Sequence, residues 1–175
     1  MNRYCTSCGQ LTTKEADNLF VCPDGHRNFV DQVPAAVVYI IKDNQVLFGH
    51  RSIEPNVGKL NTPGGFLNLG ESAEDAALRE VREELGINIK IADYLGSYAV
   101  DYADSNKPVL CITFVAEYQG DEIIPGDDLN AGDPIWRLIN DLPKVDELSW
   151  GWQIKAQEDL VKWYQDNNPI ANNVN

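Results

Sequence analysis

The chain has 175 residues, 43% hydrophobic and 23% charged, which suits one substantial globular core with a small appendage. Its 27 acidic side chains outnumber 14 basic ones, giving a net charge of −13. That balance argues against a nucleic-acid backbone as partner, which needs surplus Lys and Arg, but leaves room for a small polyphosphate neutralised by metal ions. No run of about 18 apolar residues occurs, and the start MNRYCTSCG does not read as a signal segment. The expectation is a cytoplasmic protein with no membrane partner.

Residues 1–31 read as a separate module. They carry Cys5 and Cys8 two residues apart, then, after thirteen more, Cys22 and His26 three apart. Thiolate and imidazole ligands in such an array favour tetrahedral Zn²⁺, and thirty residues build too little core to fold without a metal. Disulfides are the competing reading; the odd number of thiols in this segment opposes them. Arg3, Lys14 and Arg27 stand against Glu15, Asp17, Asp24 and Asp31, so the module has no basic patch. A structural role follows, with a subunit contact in a homodimer among the options.

Residues 32–166 make the main domain, and 167–175 a polar tail. Residues 34–41, PAAVVYII, read as a buried strand, KDNQ as a turn, and VLFGHR as the hairpin partner. Arg51 at that strand's end either meets a substrate phosphate or is a surface charge. His50 reads as non-catalytic. The loop IEPNVGKL then leads to NTPGGF, a glycine loop.

The stretch that organises the chain follows, GGFLNLGESAEDAALREVREELGI. Ser72 is an N-cap residue with Asp75 three positions on, and Gly86 sits where a helix stops, so the spacing predicts a helix over 73–85. At 100° per residue, Glu80, Glu83 and Glu84 share an arc of about 100°, and Ala77, Leu78, Val81 and Leu85 occupy the next arc, the face to bury. Three acids at this spacing repel one another, and two lie at the helix C-terminus where the dipole disfavours them. Divalent cations of the Mg²⁺ or Mn²⁺ type would repay that local cost.

Beyond it, residues 87–100 and 109–118 read as two longer strands joined by DYADSNKP, giving a mixed sheet in an α/β layer arrangement. Cys111 reads as a small core side chain. The acidic, Gly- and Pro-rich segment 120–134 reads as a surface loop, 136–139 as a short strand, and 150–165 as a final amphipathic helix. Asp141 is placed to cap a turn or short helix. Tyr94, Tyr98, Tyr102 and Trp136 are candidates to stack on a base, Tyr98 and Tyr102 foremost.

Gly65, Glu71, Arg79, Glu80, Val81, Glu83, Glu84, Gly86 and Ile87 fill every position of a known pattern, and the segment resembles the Nudix box. The resemblance implies a Nudix-type α/β/α sandwich with a mixed sheet. Residues 1–31 are similar to the zinc-ribbon extension of NADH pyrophosphatase-like members, where the fourth ligand is usually cysteine, so His26 is a departure. The family's chemistry is hydrolysis of a nucleoside diphosphate linked to another group, with Mg²⁺ or Mn²⁺ held by Glu80, Glu83, Glu84 and the Gly65 carbonyl. By the same resemblance Arg79 holds a carboxylate, and Glu71 orients Arg79 or reaches a metal through water. Glu80 is the first choice of base; Asp127, Asp128 and Glu117 are alternatives from later segments. The SQPWPFPxS segment of NADH pyrophosphatases is replaced here by IADYLGSYAVDY. ADP-ribose or a similar conjugate is therefore the default substrate. The alternatives are a non-catalytic nucleotide-sensing module and an RNA 5′-end phosphohydrolase.

Overall fold

The computed structural model describes residues 3–102, 107–126 and 128–168, without the side chains of 101, 102 and 107. The chain divides into two compact units, Met1–Val33 and Pro34–Asn175. No helix among the described residues is long and apolar enough to cross a membrane.

The first unit is a three-stranded antiparallel sheet, β1 (Thr13–Ala16), β2 (Leu19–Val21) and β3 (Arg27–Phe29), in that spatial order. These strands are too short and too exposed to make a core, and among the described residues the buried side chains of the unit are Cys5 and Cys22. Two tight turns present them. The Gly9 N–H donates to the Cys5 carbonyl and the Gly25 N–H to the Cys22 carbonyl, and both glycines take positive φ, 74° and 81°. In the first turn the second ligand precedes the glycine; in the second, His26 follows it. That is why the spacing widens from two residues to three.

The second unit begins with β4 (Val33–Lys42) and β5 (Gln45–His50), paired antiparallel. Only Asp43 and Asn44 separate them, with Asp43 at φ 54°, as a two-residue hairpin demands. Then come β6 (Leu60–Asn61), β7 (Gly64–Phe66), α1 (Ala73–Leu85), β8 (Ile89–Tyr102), β9 (Lys107–Tyr118), β10 (Ile135–Leu138) and α2 (Gln153–Asn167). The mixed sheet runs β10-β5-β4-β9-β8, with β6 beside β5 and β7 beside β4.

A helix covers each face. Ala36, Val38 and Ile40 on β4 point to one side and pack with Ala77, Val81 and Leu85 of α1. Tyr39 points to the other, with Ala156 and Leu160 of α2. Strand β4 is buried on both faces, which is why its sequence is an unbroken apolar run rather than an alternation. Helix α1 has the expected bounds: the Ser72 hydroxyl accepts from the Asp75 N–H at 3.1 Å, and Gly86 ends it in the left-handed conformation at φ 68°.

Segment 120–134 is more than the surface loop expected from its composition. Leu129 is fully buried in the α1 core, the Ile124 N–H donates to the Leu85 carbonyl, and the Gly126 N–H donates to the Glu84 carbonyl at 2.6 Å. The loop thus satisfies the open C-terminal end of α1, the end that carries the acids. A Cβ on Gly126 would lie 2.2 Å from the Glu83 carbonyl oxygen, so only glycine fits. Gly126→Ala should cost about 1–3 kcal/mol, read as a lower urea midpoint, and should lower activity because Asp128 moves with the loop.

Candidate functional site

Helix α1 and the glycine loop on β7 build the site together. Gly65 lies where a Cβ would be 2.3 Å from Glu80 Oε1, so glycine there lets backbone and carboxylate meet. The Gly64 N–H donates to Glu84 Oε2 at 2.9 Å. Glu84 is buried on the core side of the helix, and Glu83 is exposed.

Arg79 ties Glu71, Glu80 and Glu83 to one another and does not reach Glu84. It donates from Nε to Glu71 Oε1 at 2.8 Å and from Nη2 to Glu71 Oε2 at 2.9 Å, a bidentate pair. Its Nη1 reaches Glu80 at 2.6 Å and Glu83 at 3.0 Å, and Nη2 also donates to the Phe66 carbonyl at 3.0 Å. Glu71 accepts the Asn68 N–H as well. The fork is anchored on Glu71, and Glu80 receives a single bond from it.

The electrostatics separate the acids. The Arg79 guanidinium holds Glu71 down to about 2. Burial raises Glu80 above the usual carboxylate range, against the pull of Arg79. Burial pushes Glu84 up to about 8; the Gly64 N–H opposes this, and the charges on Glu80 and Asp128 add to it. Glu71 in turn raises Arg79, which stays a cation throughout. Since no lysine fork reproduces that geometry, Arg79→Lys should lower kcat by about ten- to a hundredfold with little change in KM, measured by steady-state kinetics.

Gly64, Gly65, Arg79, Glu80 and Glu84 line a cavity of about 420 Å³, whereas Glu71 and Glu83 are not in its lining. Arg51 and Asp128 stand in its wall with Glu80, Glu84 and Arg79. Arg51 is 5% exposed, donates to the Pro55 and Glu54 carbonyls, and lies 5.2 Å over the Trp150 ring. It is buried cavity lining, not a surface charge. An apolar wall of Val100, Val109, Trp150 and Trp152 faces the same space, and Cys111, also buried, sits in that wall.

Of the aromatic residues singled out in the sequence, Tyr94, Tyr98 and Trp136 are not in the cavity lining. Tyr98 stacks on Trp152 with centroids 5.5 Å apart and donates its hydroxyl to Asp159 at 2.9 Å, outside the cavity lining. Tyr94 makes an edge contact with Phe114, and Trp136 with Tyr118. The Tyr102 side chain and Asp127 lie outside the described residues. Glu117 pairs with Lys90 at 3.3 Å and does not line the cavity. Trp150 and Trp152 are cavity residues that the sequence does not reveal, because WGW reads as the start of a helix; Gly151 between two tryptophans, just before α2 begins at Gln153, is the available signal.

In the first unit the donor atoms of Cys5, Cys8, Cys22 and His26 all lie within 4.8 Å of one another. Cys8 and Cys22 Sγ are 3.7 Å apart, and Cys22 Sγ is 3.4 Å from His26 Nδ1. Tetrahedral ligands at zinc–sulfur distances of 2.3 Å are about 3.8 Å apart, so the donor set fits Zn²⁺. Burial pushes the Cys5 thiol up, but donation from Asn28 Nδ2 and from backbone N–H groups outweighs it and brings Cys5 down to about 6. Cys8 is pushed up to about 11 beside its neighbouring thiols, although a backbone bond at Gln10 opposes this. A bound cation would remove that difference.

A family model described as the NUDIX domain matches residues 31–157, and the chain belongs to the NUDIX family. Among curated relatives, the NAD-capped RNA hydrolase NudC of Pseudomonas fluorescens is 35% identical over 146 residues, covering 82% of this chain and 51% of that protein. The protein of the same name in Pseudomonas aeruginosa is 32% identical over 82% of this chain and 50% of its own length. The chain spans about half the length of the curated relatives it matches. Among solved structures, a NUDIX hydrolase from Nitrosomonas europaea has a similar fold, with TM-score 0.70 at 20% identity, over 95% of this chain and 92% of that one. A MutT NUDIX hydrolase from Burkholderia pseudomallei gives 0.65 at 25% identity, over 75% and 99%.

Proposed function

We propose that the second unit hydrolyses the diphosphate linkage of a nucleoside diphosphate joined to another moiety, with Mg²⁺ or Mn²⁺, and that the first unit holds a structural Zn²⁺. The observation that carries the reading is Glu80 and Glu84 opening with Arg51 into one cavity, with Arg79 tying Glu80 to the exposed Glu83 on α1. Three carboxylates and the Gly65 carbonyl are an all-oxygen donor set of the kind that suits Mg²⁺ or Mn²⁺. Such a cation, when bound, neutralises the bridging phosphate oxygens.

The protein's own groups do the rest. Arg79 holds Glu80 and Glu83 converged, with Glu71 fixing the guanidinium plane. Arg51 supplies a buried positive charge to the phosphate. Glu80, its proton affinity raised by burial, takes the proton of the attacking water, with Asp128 as the second choice.

ADP-ribose is the default conjugate. The relatives' printed name adds NAD-capped RNA to the substrates to test, and free NAD⁺ and NADH are the simplest probes of such a cap. It reopens the nucleic-acid partner that the charge of −13 argued against. The acidic surface favours grip on the cap alone, without contacts along the RNA.

The test is release of nucleotide from ADP-ribose, NAD⁺, NADH and a dinucleoside polyphosphate, with Mg²⁺ or Mn²⁺. Turnover of one class, lost in Glu84→Gln, is the expected result. Folded protein inert on all of them would favour the sensing module. If NAD-capped RNA is cleaved, its kcat/KM should change with salt no more than that of free NAD⁺.

A further inference from the structure

Gln153 begins α2 and is completely buried, while Asn61, on β6, is 8% exposed and lines the cavity. Their hydrogen bonds fix which way both amides point. The Trp150 backbone N–H, which can only donate, meets Gln153 Oε1 at 3.2 Å. The other end of that amide is therefore the NH₂ group. It donates to Asn61 Oδ1 at 3.2 Å and to Thr62 Oγ1 at 3.4 Å. Since an NH₂ group can only donate, the Asn61 atom facing it must be oxygen, and the Asn61 NH₂ is turned the other way. Among the described residues it meets no acceptor, and it is not among the buried polar atoms left unpaired.

The surroundings of this donor suit a flat ring. Trp150 and Trp152 offer aromatic surface in the same cavity, and Val100 and Val109 complete an apolar wall. Arg51 against Trp150 and the acids of α1 make up the charged part of the lining. A ring with an exocyclic carbonyl would find both an apolar face and one oriented donor. A ring edge that offers only an amino group there would leave two donors facing each other.

We propose that Asn61, held by Gln153, is a specificity-determining residue: its NH₂ group recognises the exocyclic carbonyl of a planar ring on the substrate, set against Trp150 and Trp152. The proposal rests on the diphosphate-hydrolase reading and names the substrate class of that same cavity. Two sources carry the required carbonyl, the carboxamide of a nicotinamide and the oxo group of an oxo-purine or oxo-pyrimidine base. Gln153 is a positioning residue that acts through Asn61.

The experiment compares wild type and Asn61→Ala on ADP-ribose, NAD⁺ and IDP-ribose. The first has no ring carbonyl, the second has one on the nicotinamide, and the third has one on the base. Asn61→Ala leaves Gln153 its bond to Thr62 and does not touch the acids, so the fold and the chemistry of α1 remain. The expected result is a loss of about tenfold in kcat/KM on one carbonyl compound, with ADP-ribose within about twofold of wild type. Loss on NAD⁺ places the nicotinamide in the cavity, and loss on IDP-ribose places the base there. Equal losses on all three compounds, or none, would overturn the proposal.

Binding of the same compounds, followed by tryptophan fluorescence, separates this idea from the hydrolase reading. Wild type that turns over none of the three but binds a carbonyl compound about tenfold more tightly than Asn61→Ala does keeps the Asn61 assignment and ends the hydrolase one. Asn61→Asp guards against misfolding, because it preserves shape and the acceptor for Gln153 while replacing the free NH₂ by oxygen. Relative to ADP-ribose it should weaken the carbonyl compound more than Asn61→Ala does; a smaller effect would overturn the proposal.

Discussion

Glu84→Gln should abolish turnover and at the same time stabilise the protein at pH 8 in the absence of Mg²⁺ and Mn²⁺. Both effects come from one carboxylate. Burial pushes Glu84 from 4.5 up to about 8, and the neighbouring Glu80 and Asp128 charges push the same way. Between those values the folded chain holds a proton that the unfolded chain has lost, so stability falls as pH rises from about 4.5 to 8. Above pH 8 the full cost of the buried charge is present, on the order of 5 kcal/mol.

Glutamine keeps an oxygen for the Gly64 N–H and carries no charge, so the substitution relieves that cost. The metal-free variant should melt on the order of 10 °C higher than wild type at pH 8.5. The gain should shrink to little at pH 5, where wild-type Glu84 is protonated. Mg²⁺ should raise the melting temperature of wild type and not that of the variant. Turnover should fall by about a thousandfold or more, because the diphosphate loses one of its charge-neutralising sites. A stability gain independent of pH, or near-wild-type turnover, would sink the assignment of Glu84.

The second large effect concerns residues 1–33. Cys22→Ser, or removal of zinc by a chelator, should unfold this unit and leave the other folded. The reason is the thinness of its interior: among the described residues Cys5 and Cys22 are its buried side chains, and strand β1 is exposed along its length. Without the cation, three thiols and an imidazole within 4.8 Å have no partner that offsets the entropy of ordering the turns around them. Structural zinc supplies about 10–16 kcal/mol in modules of this size, far more than three short strands can. Metal analysis should find one zinc per chain. Limited proteolysis of the chelated protein should cut within residues 1–33 and spare the core strands β4 and β9. Stoichiometric zinc loss with no change in cleavage would show that the unit folds without it.

Local chemistry was legible in the sequence. Ser72 and Gly86 mark the two ends of α1 because a cap hydrogen bond and a left-handed turn act within a few residues. The Cys/His cluster was legible for the same reason, because paired tight turns bring Cys5, Cys8, Cys22 and His26 together; the i, i+3 and i+4 spacing places Glu80, Glu83 and Glu84 on one arc of α1. The complete box led directly to the NUDIX family, and with it to the three-layer fold.

What only the tertiary structure decided depends on residues far apart in the chain. Tyr98 and Trp152 were equally plausible stacking partners by type, but β8 turns Tyr98 toward Asp159 on α2, 61 residues away, and the cavity receives Trp152 instead. Segment 120–134 has loop composition, yet Leu129 fills a core position because α1 and β5 leave a space that no local rule foresees. Asn61 was an unremarked residue before the glycine loop. Its direction is set by Gln153, 92 residues further on, whose own amide is fixed by a backbone N–H. Sequence spacing determines which acids share a helix face, because that geometry repeats every few residues. Which side chains wall the cavity, and which way a buried amide points, is determined by long-range packing, because both depend on partners the local sequence does not contain.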